Sequence, residues 1–225
     1  MKLLLTSGGI TNATIRSALT DVLGRPTDES RALYIPTAMH GHPSCTPQMT
    51  WQGIAGQGPA GRGLIDARWG SVGVLELTAL PSIARERWLG WVQEADVLLA
   101  AGGDTMYLCH WMRTSGLAEV LPELSETVWV GMSAGSMVMT PRIGERFVTW
   151  PEPRGDDQTL GFVDFSLFPH LDYPGWDHQT AEKAAEWAET LTGGAYAIDD
   201  DTAIRVVDGD VDVVSEGRWL RLGAV

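Results

Sequence analysis

The sequence predicts an α/β fold, a single-domain three-layer sandwich built around a mostly parallel sheet. Short apolar runs alternate with helical patterns along the chain, as strand–helix–strand units require. Two of these runs end in glycine-rich turns that lead into helices, and two valine-rich runs flank an Asp-Gly turn typical of a hairpin. A chain of 225 residues, 44% of them hydrophobic, is long enough to bury the core of one domain, which we expect to span residues 1–225.

Each element of this fold is predicted from its apolar period and its boundaries. Asn12 and Ser82 are typical N-caps of helices. Strands are expected at 2–6, 31–35, 72–77, 97–100 and 128–131, and a C-terminal hairpin at 203–207 and 211–215. Helices are expected at 12–23, 82–94, 105–115, 134–140 and 178–191. The glycine-rich stretch 53–63 is left open as a broken helix or a loop over the site.

Composition and charge argue against several classes of protein. The formal net charge of -13 disfavours nucleic acid and anionic membranes as partners, and it is compatible with substrates that carry a free amine. The two cysteines, Cys45 and Cys109, have no spacing typical of a metal site or a disulfide framework, so we expect neither. The apolar run after Met1 is too short for a signal peptide and no run can span a bilayer, which predicts a cytoplasmic protein.

Residues 128–136, VWVGMSAGS, have the pattern of a nucleophile elbow. A strand that turns abruptly into a helix holds Ser133 in a strained conformation, so that its Oγ stands clear of the sheet. Gly131 and Gly135 are small because the strand and the new helix pass close together. The motif favours a serine hydrolase, and a glycine–serine turn without a chemical role is the alternative.

A second buried run, 95–101, ends in Gly102-Gly103 before another predicted helix. Parallel strands place such turns side by side at the carboxyl edge of the sheet, where open α/β folds carry their sites. The N–H of Gly103 or Asp104 can then supply one hydrogen bond to an oxyanion, and the N–H of Ala134 the other.

A nucleophilic serine requires an imidazole within reach, and His170 is the best placed of the five histidines. An apolar segment ends at Pro169, which fixes the backbone and presents His170 at the mouth of a loop. His40 and His42 follow another predicted strand and are interpreted as rim residues.

These motifs, in this order and at these separations, resemble the peptidase E (aspartyl dipeptidase) and cyanophycinase family of serine peptidases. The resemblance covers most of the chain and rests on GGDT at 102–105, GMSAGS at 131–136, GFVD at 161–164 with FPH at 168–170, and AYAIDDDTAI at 195–204. It implies a fold similar to that of class I glutamine amidotransferases, with Ser133 as nucleophile, His170 as general base and oxyanion donors at Gly103 and Ala134. It also implies a small, restricted cleft that takes dipeptides or other short peptides.

The same resemblance implies that the acid of the triad, Asp or Glu, lies between the serine and the histidine. Glu145 stands at about the family's spacing and is the preferred candidate, with Glu152 second. Asp156 and Asp157 belong to a polar loop, and Asp164 alternates with apolar neighbours as on the outward face of a strand. The acid would accept the Nδ1 proton of the imidazole, fix its tautomer and stabilise the imidazolium.

Two departures from the family bear on the substrate. Where peptidase E has asparagine after Gly-Gly, this chain has Asp104, whose carboxylate would repel an oxyanion unless it points away or binds a substrate amine. The segment 172–183 lacks the arginine with which the dipeptidase holds an aspartyl side chain. We therefore expect no strict preference for N-terminal Asp, and a neutral or basic first residue is the better electrostatic match.

Trp150 and Trp176 are candidates for lining the substrate pocket.

The sequence thus predicts a dipeptidase-like serine exopeptidase that acts through an acyl-enzyme and requires no metal or organic cofactor. A serine esterase or amidase of the α/β-hydrolase kind is one alternative, disfavoured by the short separation of Ser133 and His170. A non-catalytic, amidotransferase-like binding module is the other, expected if no carboxylate approaches His170. The number of subunits is left open, with a homodimer as one option.

Overall fold

Two β-sheets organise the chain in the computed structural model, which describes residues 1–58, 63–151 and 155–223. The strands within these ranges are β1 (Lys2–Thr6), β2 (Arg31–Ile35), β3 (Ser71–Val74), β4 (Val97–Ala100), β5 (Val128–Met132), β6 (Phe165–Phe168), β7 (Gly194–Ile198), β8 (Thr202–Val207), β9 (Asp210–Ser215) and β10 (Trp219–Leu222). The larger sheet has the order β3-β2-β4-β5-β1-β8-β9, and the smaller has the order β10-β7-β6.

The larger sheet is mostly parallel, as predicted. Strands β1 to β5 run in one direction, β8 pairs antiparallel with β1, and β9 pairs antiparallel with β8. The predicted hairpin is present, with Val207 paired to Asp210 across a turn in which Asp208 has φ 53° and Gly209 has φ 88°. Two residues with positive φ are the geometry that Asp-Gly hairpin turns require.

Helices cover both faces of the larger sheet. Successive strand residues point to opposite faces, so Leu98 of β4 joins one apolar cluster and Leu99 joins the other. Ile15, in the first helix, packs with Leu99, whereas Leu108 packs with Leu98. The structure describes the helices α1 (Ala13–Leu23), α2 (Thr37–Gly41), α3 (Pro47–Ile54), α4 (Arg85–Gln93), α5 (Thr105–Thr114), α6 (Leu117–Val120), α7 (Ala134–Met137) and α8 (Ala181–Glu189). The mixed α/β fold predicted from the sequence is therefore confirmed.

Several boundaries differ from the sequence prediction for local reasons. The strand expected at 72–77 ends at Val74, because Glu76 accepts a hydrogen bond from the Thr78 N–H and starts a 3-10 helix at Leu77–Ser82. Ser82 belongs to that 3-10 helix, so it is not the cap of α4. Asn12 does cap α1, accepting from the Ile15 N–H at 2.9 Å.

The glycine-rich stretch 53–63 is described only in part, since residues 59–62 lie outside the described ranges. Its first residues complete α3, which ends at Ile54. At its other end the Gly63 carbonyl accepts a hydrogen bond from the Ile10 N–H at 2.6 Å. Gly9 and Gly63 approach so closely that a Cβ on Gly9 would lie 2.5 Å from the Gly63 oxygen. The stretch therefore ends against the loop that follows β1.

The order of the strands brings several turns to one edge of the molecule. β1, β4 and β5 lie side by side in the larger sheet, so the residues that follow them meet at its carboxyl edge. In the smaller sheet β6 and β7 are also parallel, with Phe168 paired to Ala197, so their carboxyl ends lie together.

Candidate active site

Ser133 lies at the bend between β5 and α7. Its backbone has φ 51° and ψ -110°, a conformation that residues other than glycine rarely adopt. Its N–H binds the Thr6 carbonyl at 3.0 Å, which ties the bend to β1. A Cβ on Gly131 would lie 2.3 Å from the Gly135 oxygen, and one on Gly135 would lie 2.2 Å from the Ala100 oxygen. The close packing therefore requires glycine on both sides of the serine.

The two oxyanion donors expected from the sequence are the backbone N–H groups of Ala134 and Gly103. The N–H groups of Ser136 and Met137 both bind the Ser133 carbonyl at 2.9 Å, and the Ala134 N–H has no hydrogen-bond acceptor among the described residues. The same holds for the N–H of Gly103, in the turn after β4, among the residues that the structure describes. The Asp104 N–H, by contrast, donates to the Ala38 carbonyl at 2.9 Å. Of the two expected donors after β4, Gly103 is therefore the one that stays available.

His170 reaches Ser133 from the smaller sheet. It follows Pro169 at the end of β6, has φ 58°, and places its Nε2 atom 2.9 Å from Ser133 Oγ. The side chain is 18% exposed, so the imidazole is mostly shielded by protein yet open to a small substrate. The two side chains that the sequence predicted as nucleophile and base thus lie within hydrogen-bond distance.

The carboxylate at the other ring nitrogen is Asp200, which follows β7. His170 Nδ1 lies 2.7 Å from Asp200 Oδ1. An ionised carboxylate only accepts hydrogen bonds, so Nδ1 donates and Nε2 is left as an acceptor facing Ser133. The arrangement follows from the topology, because β6 and β7 are neighbouring parallel strands.

Glu145, the preferred candidate for the acid, is not the partner of His170. It is exposed at the start of a 3-10 turn, Glu145–Phe147, and the described residues show no hydrogen bond between its carboxylate and the imidazole. The expectation that the acid lies between Ser133 and His170 in the chain is therefore corrected. The signal missed in the sequence is the apolar run 194–198 followed by three aspartates, a strand that ends in polar residues like those at Ser133 and His170.

The other carboxylates considered from the sequence lie elsewhere. Asp157 is 3% exposed and accepts from Arg142 Nε and the Gly144 N–H, both at 2.9 Å, so it anchors a loop. Asp156 accepts from the Gln158 N–H, and Asp164 is exposed just before β6. Glu152 lies outside the described residues.

Ser7, which follows β1, makes three contacts with the histidine–aspartate pair. Its side chain is fully buried, its hydroxyl donates to Asp200 Oδ1 at 2.7 Å, and its Oγ accepts from the His170 backbone N–H at 2.7 Å. The same Oγ lies 3.2 Å from His170 Nδ1. Ser7 thus connects the loops that carry the base and the acid, a role that the sequence did not indicate.

These contacts set the ionisation of Asp200. Partial burial works to raise the pKa of this carboxyl group, but the hydrogen bond and the charge of His170, together with the Ser7 hydroxyl, outweigh it. The net result is a pKa below its ordinary value, so Asp200 is a carboxylate at neutral pH.

Asp104, predicted as a substrate ligand, is a buried helix cap. Its carboxylate is 2% exposed and accepts from the N–H of Tyr107 at 2.8 Å, from the N–H of Trp150 at 2.9 Å and from the Thr149 hydroxyl. Three donors leave this carboxylate no exposed face for a substrate amine, so the expectation is corrected. They also solve the problem of a charge near the oxyanion, because the carboxylate points into the protein.

The predicted pocket tryptophans pack against different aromatic groups. Trp150 packs against Tyr107 and His110, with ring centroids 5.4 and 5.1 Å apart, above the start of α5. Trp176 lies beside the base, its ring centroid 5.3 Å from that of His170.

The segment after His170 receives two arginines from elsewhere in the chain. Arg218 pairs with Asp172, and Arg146 donates to the His178 carbonyl and to the Gln179 side chain. Both guanidinium groups are thereby held by the protein itself.

Among the described residues, no three histidine, cysteine or acidic side chains are grouped as a metal site would need. In the same part of the chain, no helix has both the length and the apolar character to cross a bilayer.

Comparison with known proteins identifies the family of this chain. The model of Peptidase family S51 matches residues 64–214, a range that includes Ser133, His170 and Asp200. The chain is a serine-type peptidase. More particularly, it belongs to Peptidase family S51, which confirms the peptidase E-like resemblance.

Two solved structures share the fold. A putative peptidase E protein from Listeria monocytogenes EGD-e superposes with a TM-score of 0.68 at 16% identity, covering 96% of this chain and 98% of that one. A peptidase from an acI-B1 actinobacterium superposes with a TM-score of 0.65 at 19% identity, covering 97% of this chain and 88% of that one. Comparison with the curated proteins gave no match.

Proposed function

We propose that this peptidase hydrolyses short peptides as a dipeptidase-like exopeptidase, with Ser133 as nucleophile, His170 as general base and Asp200 as the acid of the triad. The observation that carries the proposal is one line of contacts, 2.9 Å from Ser133 Oγ to His170 Nε2 and 2.7 Å from His170 Nδ1 to Asp200 Oδ1. A carboxylate at the histidine also counts against a non-catalytic binding module, for which none was expected.

The reaction is an acyl transfer in two halves. His170 Nε2 takes the hydroxyl proton while Ser133 Oγ bonds to the peptide carbonyl carbon, and the N–H groups of Gly103 and Ala134 bind the resulting oxyanion. The C–N bond then breaks as His170 returns the proton to the leaving nitrogen. Water, deprotonated by His170, adds to the acyl group, and Ser133 leaves with its proton restored. Asp200 stabilises the imidazolium throughout.

The preferred substrate is a short peptide with a free amine and without a strict requirement for N-terminal Asp. The net charge of -13 favours approach of a cationic N-terminus. The two guanidinium groups near the segment after His170 do not change this, since Arg218 pairs with Asp172 and Arg146 binds the main chain of the loop.

A dipeptide screen and a Ser133→Ala variant test the proposal together. Dipeptides that differ in the first residue are compared with short acyl esters, and labelling by a fluorophosphonate probe is mapped to the modified residue. We expect dipeptide turnover, labelling at Ser133, and a fall in kcat of about 10⁶-fold in Ser133→Ala. Ser82→Ala, which removes an exposed hydroxyl that donates to the Ala79 carbonyl, is the matched control.

Full turnover by Ser133→Ala would refute the proposal. Turnover of esters alone would favour the esterase, and an Asp-only profile would contradict the broader preference.

A further inference from the structure

Two large aromatic side chains stand half exposed beside His170. Tyr173 is 41% exposed and Trp176 is 42% exposed, although aromatic rings of this size gain most when buried. Their ring centroids lie 6.0 and 5.3 Å from that of His170, with both rings meeting the imidazole at steep angles of 83° and 69°. The two rings also contact each other, with centroids 4.9 Å apart. We call this pair the aromatic platform.

The loop that carries the aromatic platform is held in place at both ends. The Gln179 side chain donates to the Pro169 carbonyl at 3.1 Å, and the Asp172 N–H donates to the Gln179 carbonyl at 2.6 Å. The His178 ring stacks on the Trp176 indole, with the ring centroids 5.7 Å apart and an angle of 15° between the ring planes. The rings are therefore presented by an ordered loop, and a ligand that meets them pays little ordering entropy.

The chemistry of the triad fixes which part of a substrate meets the platform. His170 must deliver its proton to the leaving nitrogen, so the residue on the leaving side of the scissile bond lies on the His170 side of Ser133. We infer that Tyr173 and Trp176 form the subsite for this leaving residue and that they favour a large apolar or aromatic side chain. This inference rests on the proposed function.

The inference is tested with dipeptides that share the best first residue from the screen and carry Gly, Leu, Phe or Trp as the second. In the wild type, kcat/KM should rise from Gly to the aromatic residues. Trp176→Ala should lower kcat/KM for the Phe and Trp substrates by about 10- to 30-fold, because the apolar contact between the indole and the substrate side chain is lost. It should leave kcat/KM for the Gly substrate within about 2-fold of the wild type. Tyr173→Ala should act in the same direction, and Trp176→Phe should retain most of the preference.

Trp91→Ala is the matched control, because Trp91 is 39% exposed and lies on α4, where it packs against Arg87. It should leave the whole series unchanged.

Three results would overturn the subsite: no aromatic preference in the wild type, no loss in Trp176→Ala, or an equal loss for all substrates including Gly. The last result would mean that the platform only holds His170. Labelling of Ser133 and turnover of the Gly dipeptide report on the proposed function alone, so its failure is separate from failure of the subsite.

Discussion

The two halves of the candidate site are built in different ways. The half that carries Ser133, the proposed nucleophile, is local, since β5, Ser133 and α7 form one continuous stretch of the chain. The half that carries the proposed base and acid is assembled over distance, because His170 and Asp200 are 30 residues apart and meet through the parallel pairing of β6 with β7. A short motif is therefore enough to find the first half, whereas the carboxylate that pairs with His170 needs the topology of the smaller sheet.

Removing the acid should cause the largest effect in the long-range half. In Asp200→Asn the amide can donate to Nδ1 and hold the wrong tautomer of His170, so we expect kcat to fall by about 10⁴-fold with little change in KM. Glu145→Gln, at the exposed position favoured by the sequence, should stay within about 2-fold of the wild type. Steady-state kinetics on the best dipeptide measures both, and a larger loss in Glu145→Gln than in Asp200→Asn would return the acid to the local half.

Added volume should have its largest effect in the local half. Gly131→Ala would place a Cβ 2.3 Å from the Gly135 oxygen, a backbone atom that cannot move aside, so we expect a loss of about 3 kcal/mol in the free energy of unfolding. Gly90→Ala is the matched control, since a Cβ there meets nothing within 4 Å and alanine favours the helix by roughly 0.5–1 kcal/mol. Urea denaturation measures both, and equal midpoints for the two variants would contradict the packing argument.

The same contrast explains what the sequence predicted. β4 and β5 are short apolar runs that end in glycine turns, so the elbow, the oxyanion donors and the parallel sheet follow from local patterns. Asp200 was not predicted, because its assignment as the partner of His170 depends on the pairing of β7 with β6. Neither segment taken alone indicates that pairing. The role of Asp104 as a substrate ligand was predicted wrongly for a similar reason, since Thr149 and Trp150, which donate to its carboxylate, come from a distant loop.

Ser7 joins the two halves, so its removal tests whether they act as one unit. Ser7→Ala removes the hydroxyl that binds both Asp200 Oδ1 and the His170 N–H, each at 2.7 Å. We expect kcat to fall by about 10- to 100-fold with KM nearly unchanged, as when one partner of a buried hydrogen bond is lost. The rate of labelling by the fluorophosphonate probe should fall in parallel.

Ser166→Ala provides the control for Ser7→Ala. Ser166 is also a buried serine, and its hydroxyl donates to the Arg142 carbonyl at 2.8 Å, away from the triad. Similar kinetic losses in the two variants would show a general effect of buried hydroxyls rather than positioning of His170 and Asp200.

Low pH should lower the free energy of unfolding through Asp200, which belongs to the long-range half. Its pKa is lower in the folded chain than in the unfolded chain, so between the folded value and the unfolded value of about 3.9 the unfolded state binds more protons. The stabilisation from the carboxylate is therefore complete above about pH 4 and is lost as the pH falls through the folded pKa. Urea unfolding of the wild type and Asp200→Asn between pH 2 and about 6 should show a difference that shrinks toward low pH. A difference that stays constant over this range would mean that the ionised carboxylate does not hold the two loops together.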